Sequence, residues 1–64
     1  MGDSVGNRAL KRRIASLQHR IAEHEGKIAA EKISAHPDRG LITHWQVEIE
    51  AFNISLHRAL KRLG

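Results

Sequence analysis

The sequence predicts an all-α fold, a coiled-coil-like antiparallel two-helix hairpin that dimerises into a four-helix bundle. Two long segments carry apolar residues at alternating steps of three and four, the spacing of a helical seam. A single interruption, the stretch from Ala35 to Gly40, separates the two segments. The 64 residues include only two aromatic side chains and no Cys, so a sheet has little to build on and no disulfide can form.

The first helix is predicted over about residues 8–34, after a flexible lead over residues 1–6. Residues 7–64 then form a single helical hairpin. Gly26 weakens the second half of this helix, since Gly costs about 1 kcal/mol relative to Ala inside a helix. The seam also contains two polar positions, His24 and Glu31. The seam residues expected to face the second helix are Leu10, Ile14, Leu17, Ile21, His24 and Ile28.

A turn over about residues 35–42 should follow, because Pro37 disfavours helix at the residue before it. The second helix is predicted over about residues 43–62. Thr43 and Gln46 have the spacing of a capping box, and Asp38 is a competing cap that would start the helix earlier. The apolar seam of the second helix keeps alternating steps of three and four residues throughout. Its residues are Ile42, Trp45, Ile49, Phe52, Leu56, Ala59 and Leu63.

The short turn makes the two helices antiparallel neighbours. Residues that face each other should have numbers that sum to about 77, which places His24 near Phe52 and Glu31 near Trp45. A single polar seam residue can set the register of a coiled coil. Two interpretations of His24 are therefore open: simply a semi-buried seam residue, or a residue that fixes the register, whose protonation near neutral pH would then loosen the bundle.

A hairpin this short cannot enclose its own seam, because a chain of about 60 residues buries only about 60% of its unfolded surface. Further apolar residues lie outside the seam, and small residues in a row allow another helix to approach closely. The alternative is that Val47 and Ile54 are isolated surface residues, which are common. The residues predicted to form an oligomer interface are Ala15, Ala22, Ala29, Ile33, Val47, Ala51 and Ile54.

Positive charge is concentrated at what becomes the open end of the hairpin. Residues 8–22 contain five cations and residues 51–64 contain three, with no acid in either segment. Three interpretations are open: an anion patch for nucleic acid or an acidic protein, a solvated surface, or a contact with the acidic half of a neighbouring hairpin. The candidate anion-binding residues are Arg8, Lys11, Arg12, Arg13, Arg58, Lys61 and Arg62.

Metal and catalytic chemistry are not expected. His36, Asp38 and His44 cluster around the turn, and His44 with Glu48 has i,i+4 spacing, but no HExxH motif and no Cys ligand accompanies them. The serines have no activating neighbours in the sequence. We expect no enzyme activity, no cofactor and no physiological metal.

These observations predict a cytoplasmic, non-enzymatic protein–protein interaction module that pairs with itself or docks on a larger helical protein. The alternative is a small basic nucleic-acid-binding regulator that uses the open-end cations. No membrane span and no signal peptide are visible. In size and shape the prediction is similar to small RNA-binding helical hairpins that dimerise, a likeness of architecture without a shared motif.

Overall fold

The computed structural model describes residues 5–63 and consists of two packed helices, which confirms the predicted all-α hairpin. Helix α1 is Val5–Lys32, with 28 residues, and helix α2 is Arg39–Leu63, with 25 residues. The connection, residues 33–38, is too short for a crossover, so the helices run antiparallel. No strand occurs within residues 5–63.

The helix boundaries differ from the predicted ones at three points. Val5 and Gly6 belong to α1, so the predicted lead over residues 1–6 is wrong for these two residues, and residues 1–4 lie outside the described part. Helix α1 ends at Lys32, two residues earlier than predicted. Helix α2 begins at Arg39, four residues before the predicted start at Thr43.

Asp38, not Thr43, caps the second helix. Its Oδ1 accepts a hydrogen bond from the backbone N–H of Leu41 at 3.0 Å, and its carbonyl accepts the first helical bond from Ile42 N–H at 3.1 Å. This is N-cap geometry, in which a side-chain oxygen satisfies an otherwise unpaired N–H of the first turn. Thr43 consequently lies inside α2, in its second turn.

Glu31 and Ser34 close the end of α1. The Ser34 N–H donates to the Glu31 carbonyl at 3.1 Å, and the Ser34 hydroxyl donates to the same oxygen at 2.8 Å. The Glu31 carboxylate then accepts the Asp38 N–H at 3.0 Å, so it bridges the connection. Pro37 disfavours helix at His36 and keeps the connection open until Asp38.

The least exposed side chains follow the heptad spacing along both helices. Three residues are buried, with exposed fractions of 8% for Ile14, 9% for Ile28 and 4% for Ala59. The other seam residues are half-buried, and so are Asn7, Glu31, Glu48 and Ser55. The half-buried seam residues are Leu10, Leu17, Ile21, His24, Ile42, Trp45, Ile49, Phe52, Leu56 and Leu63.

The hairpin is thin for its length. Its principal extents are 54 × 16 × 13 Å, and its radius of gyration is 15.2 Å. A compact domain of this length would have a radius of about 11 Å. Among the side chains that the structure describes, residues 7–63, none has less than 2% of its surface exposed, so two helices alone do not build an enclosed core.

Candidate functional site

Two histidines and one carboxylate meet at the centre of the hairpin. His24 of α1 is in the seam, with 14% of its side chain exposed, and its Nε2 lies 3.3 Å from Glu48 Oε1 of α2. His44 Nε2 lies 3.0 Å from the same Oε1. The His24 ring also meets the Phe52 ring edge-on, with centroids 5.3 Å apart, which agrees with the predicted register.

His24 has an oxygen atom beside each of its ring nitrogens. Its Nδ1 lies 2.9 Å from the Arg20 carbonyl oxygen, one turn earlier on α1, and its Nε2 lies 3.3 Å from Glu48 Oε1 on α2. The ring is therefore held between its own helix and the other helix. That protonation of His24 loosens the bundle stays a prediction.

Sequence reasoning found only half of this cluster. The i,i+4 spacing of His44 and Glu48 is visible along the chain, but the contact with His24 joins residues 24 positions apart. Glu31 also has a different partner from the one predicted, since its carboxylate binds the connection at Asp38. The group over the Trp45 ring is the Lys27 ammonium, 6.0 Å from the ring centroid.

The outer face of α2, defined by Val47, Ala51 and Ile54, points away from α1. Val47 is 61% exposed and Ile54 is 49% exposed, and Ala51 between them is exposed too. Val47 lies two residues from Trp45 and from Ile49, and a two-residue step turns a helix by about 200°. This face is therefore opposite the seam, and within the described residues it is at least half exposed at Val47 and about half exposed at Ile54.

The alanine row of α1, defined by Ala15, Ala22 and Ala29, lies on a different surface. Each alanine follows a seam isoleucine by one residue, a rotation of about 100°, and all three are exposed. A groove of about 350 Å³ runs beside Ala29. Ile33, 87% exposed, follows the last residue of α1. The residues predicted to form an oligomer interface are thus divided between two sides of the hairpin, and their role in association stays a prediction.

Leu41 and Leu60 are exposed apolar residues that the sequence reasoning did not single out. They are 36% and 44% exposed, respectively. Neither continues the outer face of α2, since each is six residues from the nearest of Val47 and Ile54, a rotation of about 120° away from it. A search for apolar residues at seven-residue spacing passes over such positions.

The cations of the two helices converge at the open end. Arg13 of α1 and Arg58 and Arg62 of α2 line one groove of about 180 Å³, together with Leu10, Ser55 and Ala59. Arg13 and Arg62 also line an adjoining groove of about 440 Å³. The other candidate anion-binding residues, Arg8, Lys11, Arg12 and Lys61, are exposed on the same half of the hairpin.

Within residues 5–63, no group of three or more His, Asp and Glu side chains is arranged to hold a metal ion. His36 and Asp38 are exposed residues of the connection, and the Asp38 carboxylate is used as the α2 cap. His44 is directed to Glu48 instead of toward the turn. The predicted turn cluster is therefore not assembled as a common ligand set in the described part.

Comparisons with protein-family models, with curated proteins and with solved structures find no match to this chain. The class that the described residues define is that of an all-α helical hairpin. Neither described helix has a stretch long and apolar enough to cross a membrane.

Proposed function

We propose that this chain is a non-enzymatic interaction module, a helical hairpin that pairs with a second copy of itself through the outer face of α2. The observation that carries the proposal is the exposure of Val47 and Ile54, at 61% and 49%, on the side opposite the seam. Two large apolar side chains at seven-residue spacing, with Ala51 between them, resemble the contact stripe of a packed helix.

The surface area of the hairpin supports a protein partner. The chain exposes 5120 Å², whereas a compact monomer of 7.2 kDa is expected to expose about 4,100 Å². The excess, about 1,000 Å², is similar to the roughly 800 Å² that each partner buries in a standard interface. The same comparison explains why the hairpin has only three buried residues.

A second copy fits this face better than an unrelated helix, because the stripe is self-complementary. With a twofold axis between Glu50 and Ala51, antiparallel α2 helices would place Val47 of each chain opposite Ile54 of the partner subunit. Charge favours the same orientation. Residues 23–50 carry six acids and three Lys or Arg, and they would lie beside the basic end of the other copy.

Pairing through this face gives four helices in a layer, with both α2 helices in the middle. The predicted four-helix bundle, closed around one core, would instead use a flank of each hairpin, such as the one that carries the alanine row. We favour the α2 face because Val and Ile side chains gain more from burial than Ala. A cytosolic location belongs to the same proposal, and the absence of Cys supports it.

Sedimentation equilibrium of the full chain at two salt concentrations tests the proposal. We expect a dimer whose affinity changes little with salt, since an apolar interface is not screened. Changing Val47 and Ile54 to Gln should weaken dimerisation nearly a thousandfold. Each half-exposed side chain contributes roughly 1 kcal/mol on burial, four of them are present per dimer, and 1.4 kcal/mol corresponds to tenfold.

The matched control is Ile33→Gln, which removes an exposed apolar side chain from the connection and leaves the outer face of α2 intact. This variant should dimerise like the parent. A parent chain that stays monomeric at every concentration would refute self-association. An equal effect of the two variants would refute the choice of face.

A second candidate function is nucleic-acid binding, as the predicted small basic regulator. The observation that favours it is the convergence of Arg13, Arg58 and Arg62 from two helices on one groove. Cations that neutralise backbone phosphates give binding that weakens steeply with added salt. Salt dependence of binding therefore separates this function from an apolar interface.

A further inference from the structure

The helix dipole accounts for only some of the positive residues at the open end of the hairpin. Arg58 and Arg62 lie in the last two turns of α2, where the helix dipole favours cations. Arg13 lies in the third turn of α1, away from that favourable helix end. Arg13 nevertheless lines the same groove as the two α2 arginines. Three arginines from two helices thus border one groove.

Within the described residues, the Asp and Glu side chains lie away from the open end. Residues 5–22 and 51–63 contain no Asp or Glu, and the carboxylates of the described ion pairs, Glu23 and Glu48, lie in the other half of the hairpin. Arg12 and Lys61 add to the positive potential of this end. Like charges held close together repel each other. An anion bound in the groove would offset this repulsion and so stabilise the folded hairpin.

The groove suits a tetrahedral oxyanion in size and in chemistry. Its volume of about 180 Å³ has room for several waters at roughly 30 Å³ each. Guanidinium groups bind phosphate oxygens in pairs through parallel N–H donors. Ser55, Leu10 and Ala59 also line the groove, so one residue with a hydroxyl donor and two apolar residues lie beside the arginines.

We propose that Arg13, Arg58 and Arg62 form a binding site for one phosphate group. Arg58 and Arg62 are one turn apart on α2 and form one side of the site, and Arg13 closes it from α1. A bound phosphate therefore links the two helices at the end where no loop connects them. The phosphate group has two chemical sources, a small phosphorylated molecule or the backbone of a nucleic acid.

Two probes distinguish these sources in solutions of the full-length chain. The first is inorganic phosphate, followed by the amide chemical shifts of Arg13, Arg58 and Arg62 in a ¹H–¹⁵N spectrum. The second is a fluorescent single-stranded DNA oligonucleotide, followed by anisotropy at about 50 and 200 mM salt. Saturable shifts with phosphate alone would assign the site to small phosphates. Binding of the oligonucleotide alone, with shifts at the same amides, would assign it to a nucleic-acid backbone.

Arg13→Gln with Arg62→Gln should weaken binding of the effective probe about a hundredfold, because each lost charge-assisted hydrogen bond lowers the affinity about tenfold. The matched control, Lys32→Gln with Arg39→Gln, removes the same net charge from the turn half and should change the affinity less than twofold. Arg13→Lys with Arg62→Lys keeps the charge and loses the planar fork, so its affinity should fall between the two.

The site would be refuted by two results. One is that neither probe causes saturable changes at low salt. The other is that the site variant and the control variant lose affinity equally, which would mean a general effect of net charge. Val47→Gln with Ile54→Gln, titrated in parallel, should keep the phosphate site whether or not the parent dimerises. Failure of self-association and failure of the site are therefore observed separately.

Discussion

Asp38→Ala should destabilise the hairpin by about 1–2 kcal/mol, because the Asp38 carboxylate determines where α2 begins. Loss of an N-cap oxygen costs about 0.5–2 kcal/mol, and loss of a negative charge at a helix N-terminus costs about 0.3–1 kcal/mol. The hydrogen bond from Leu41 N–H is 3.0 Å long but exposed to water. Water can replace part of this hydrogen bond in the variant. The total loss of stability should therefore lie in the lower half of the range obtained by adding the two costs.

Thermal unfolding followed by circular dichroism can resolve such a change. In a domain of 60–100 residues, 1 kcal/mol shifts Tm by about 4–8 °C. The variants must be compared at one protein concentration, since self-association would make Tm depend on concentration. Asp38→Asn retains an oxygen that can accept from Leu41 N–H and loses only the charge. It should therefore cost about 0.3–1 kcal/mol.

Thr43→Ala is the matched control, because Thr43 is the residue that the capping-box pattern would make the N-cap. In the structure Thr43 is exposed within the second turn of α2. Ala has a higher helix propensity than Thr, so the variant should be unchanged or more stable by up to about 0.7 kcal/mol. The opposite order, with Thr43→Ala destabilising and Asp38→Ala neutral, would show that α2 begins near residue 43 and that this account of the cap is wrong.

Three further predictions concern the seam and its polar cluster. Glu48→Gln should cost about 0.5–1 kcal/mol in urea unfolding, because the partly exposed Glu48 carboxylate lies 3.3 Å from His24 Nε2 and 3.0 Å from His44 Nε2. An unchanged stability would refute a contribution of this contact to folding. Ile28→Ala should cost about 2 kcal/mol or more in urea unfolding because Ile28 is only 9% exposed, whereas Ile33→Ala should change stability by less than about 0.5 kcal/mol. Gly26→Ala should raise the thermal stability by about 1 kcal/mol, since an added Cβ meets no atom within 4 Å, and a loss of stability would reveal a contact to a partner at that position.

The helices and their seam were predictable because their information is local. A step of three or four residues returns a side chain to the same face of a helix, so the stripe from Leu10 to Ile28 and the stripe from Ile42 to Leu63 identify the inner faces. Pro37 marks the break between them for an equally local reason, the steric restriction on His36. Because one short turn joins the halves, the antiparallel order followed as well.

The cap of α2 was ambiguous in the sequence and was decided by tertiary structure. Asp38 and Thr43 both have suitable oxygens at suitable spacing. Glu31 favours Asp38 as the cap, because its carboxylate accepts a hydrogen bond from the Asp38 N–H and holds that residue at the end of the connection. The position of Glu31 depends on where α1 ends and how the chain reverses, which no propensity along the chain specifies.

The sequence by itself determined that there are two helices, which face of each is apolar, and that positive charge gathers at one end. Only the packed structure decided that His24 meets Glu48, that Val47 and the alanine row lie on separate surfaces, and that Arg13 shares a groove with Arg58 and Arg62. The physical reason is rotation: each residue turns a helix by about 100°, so the periodicity identifies a face but not which side chains of two helices meet across it.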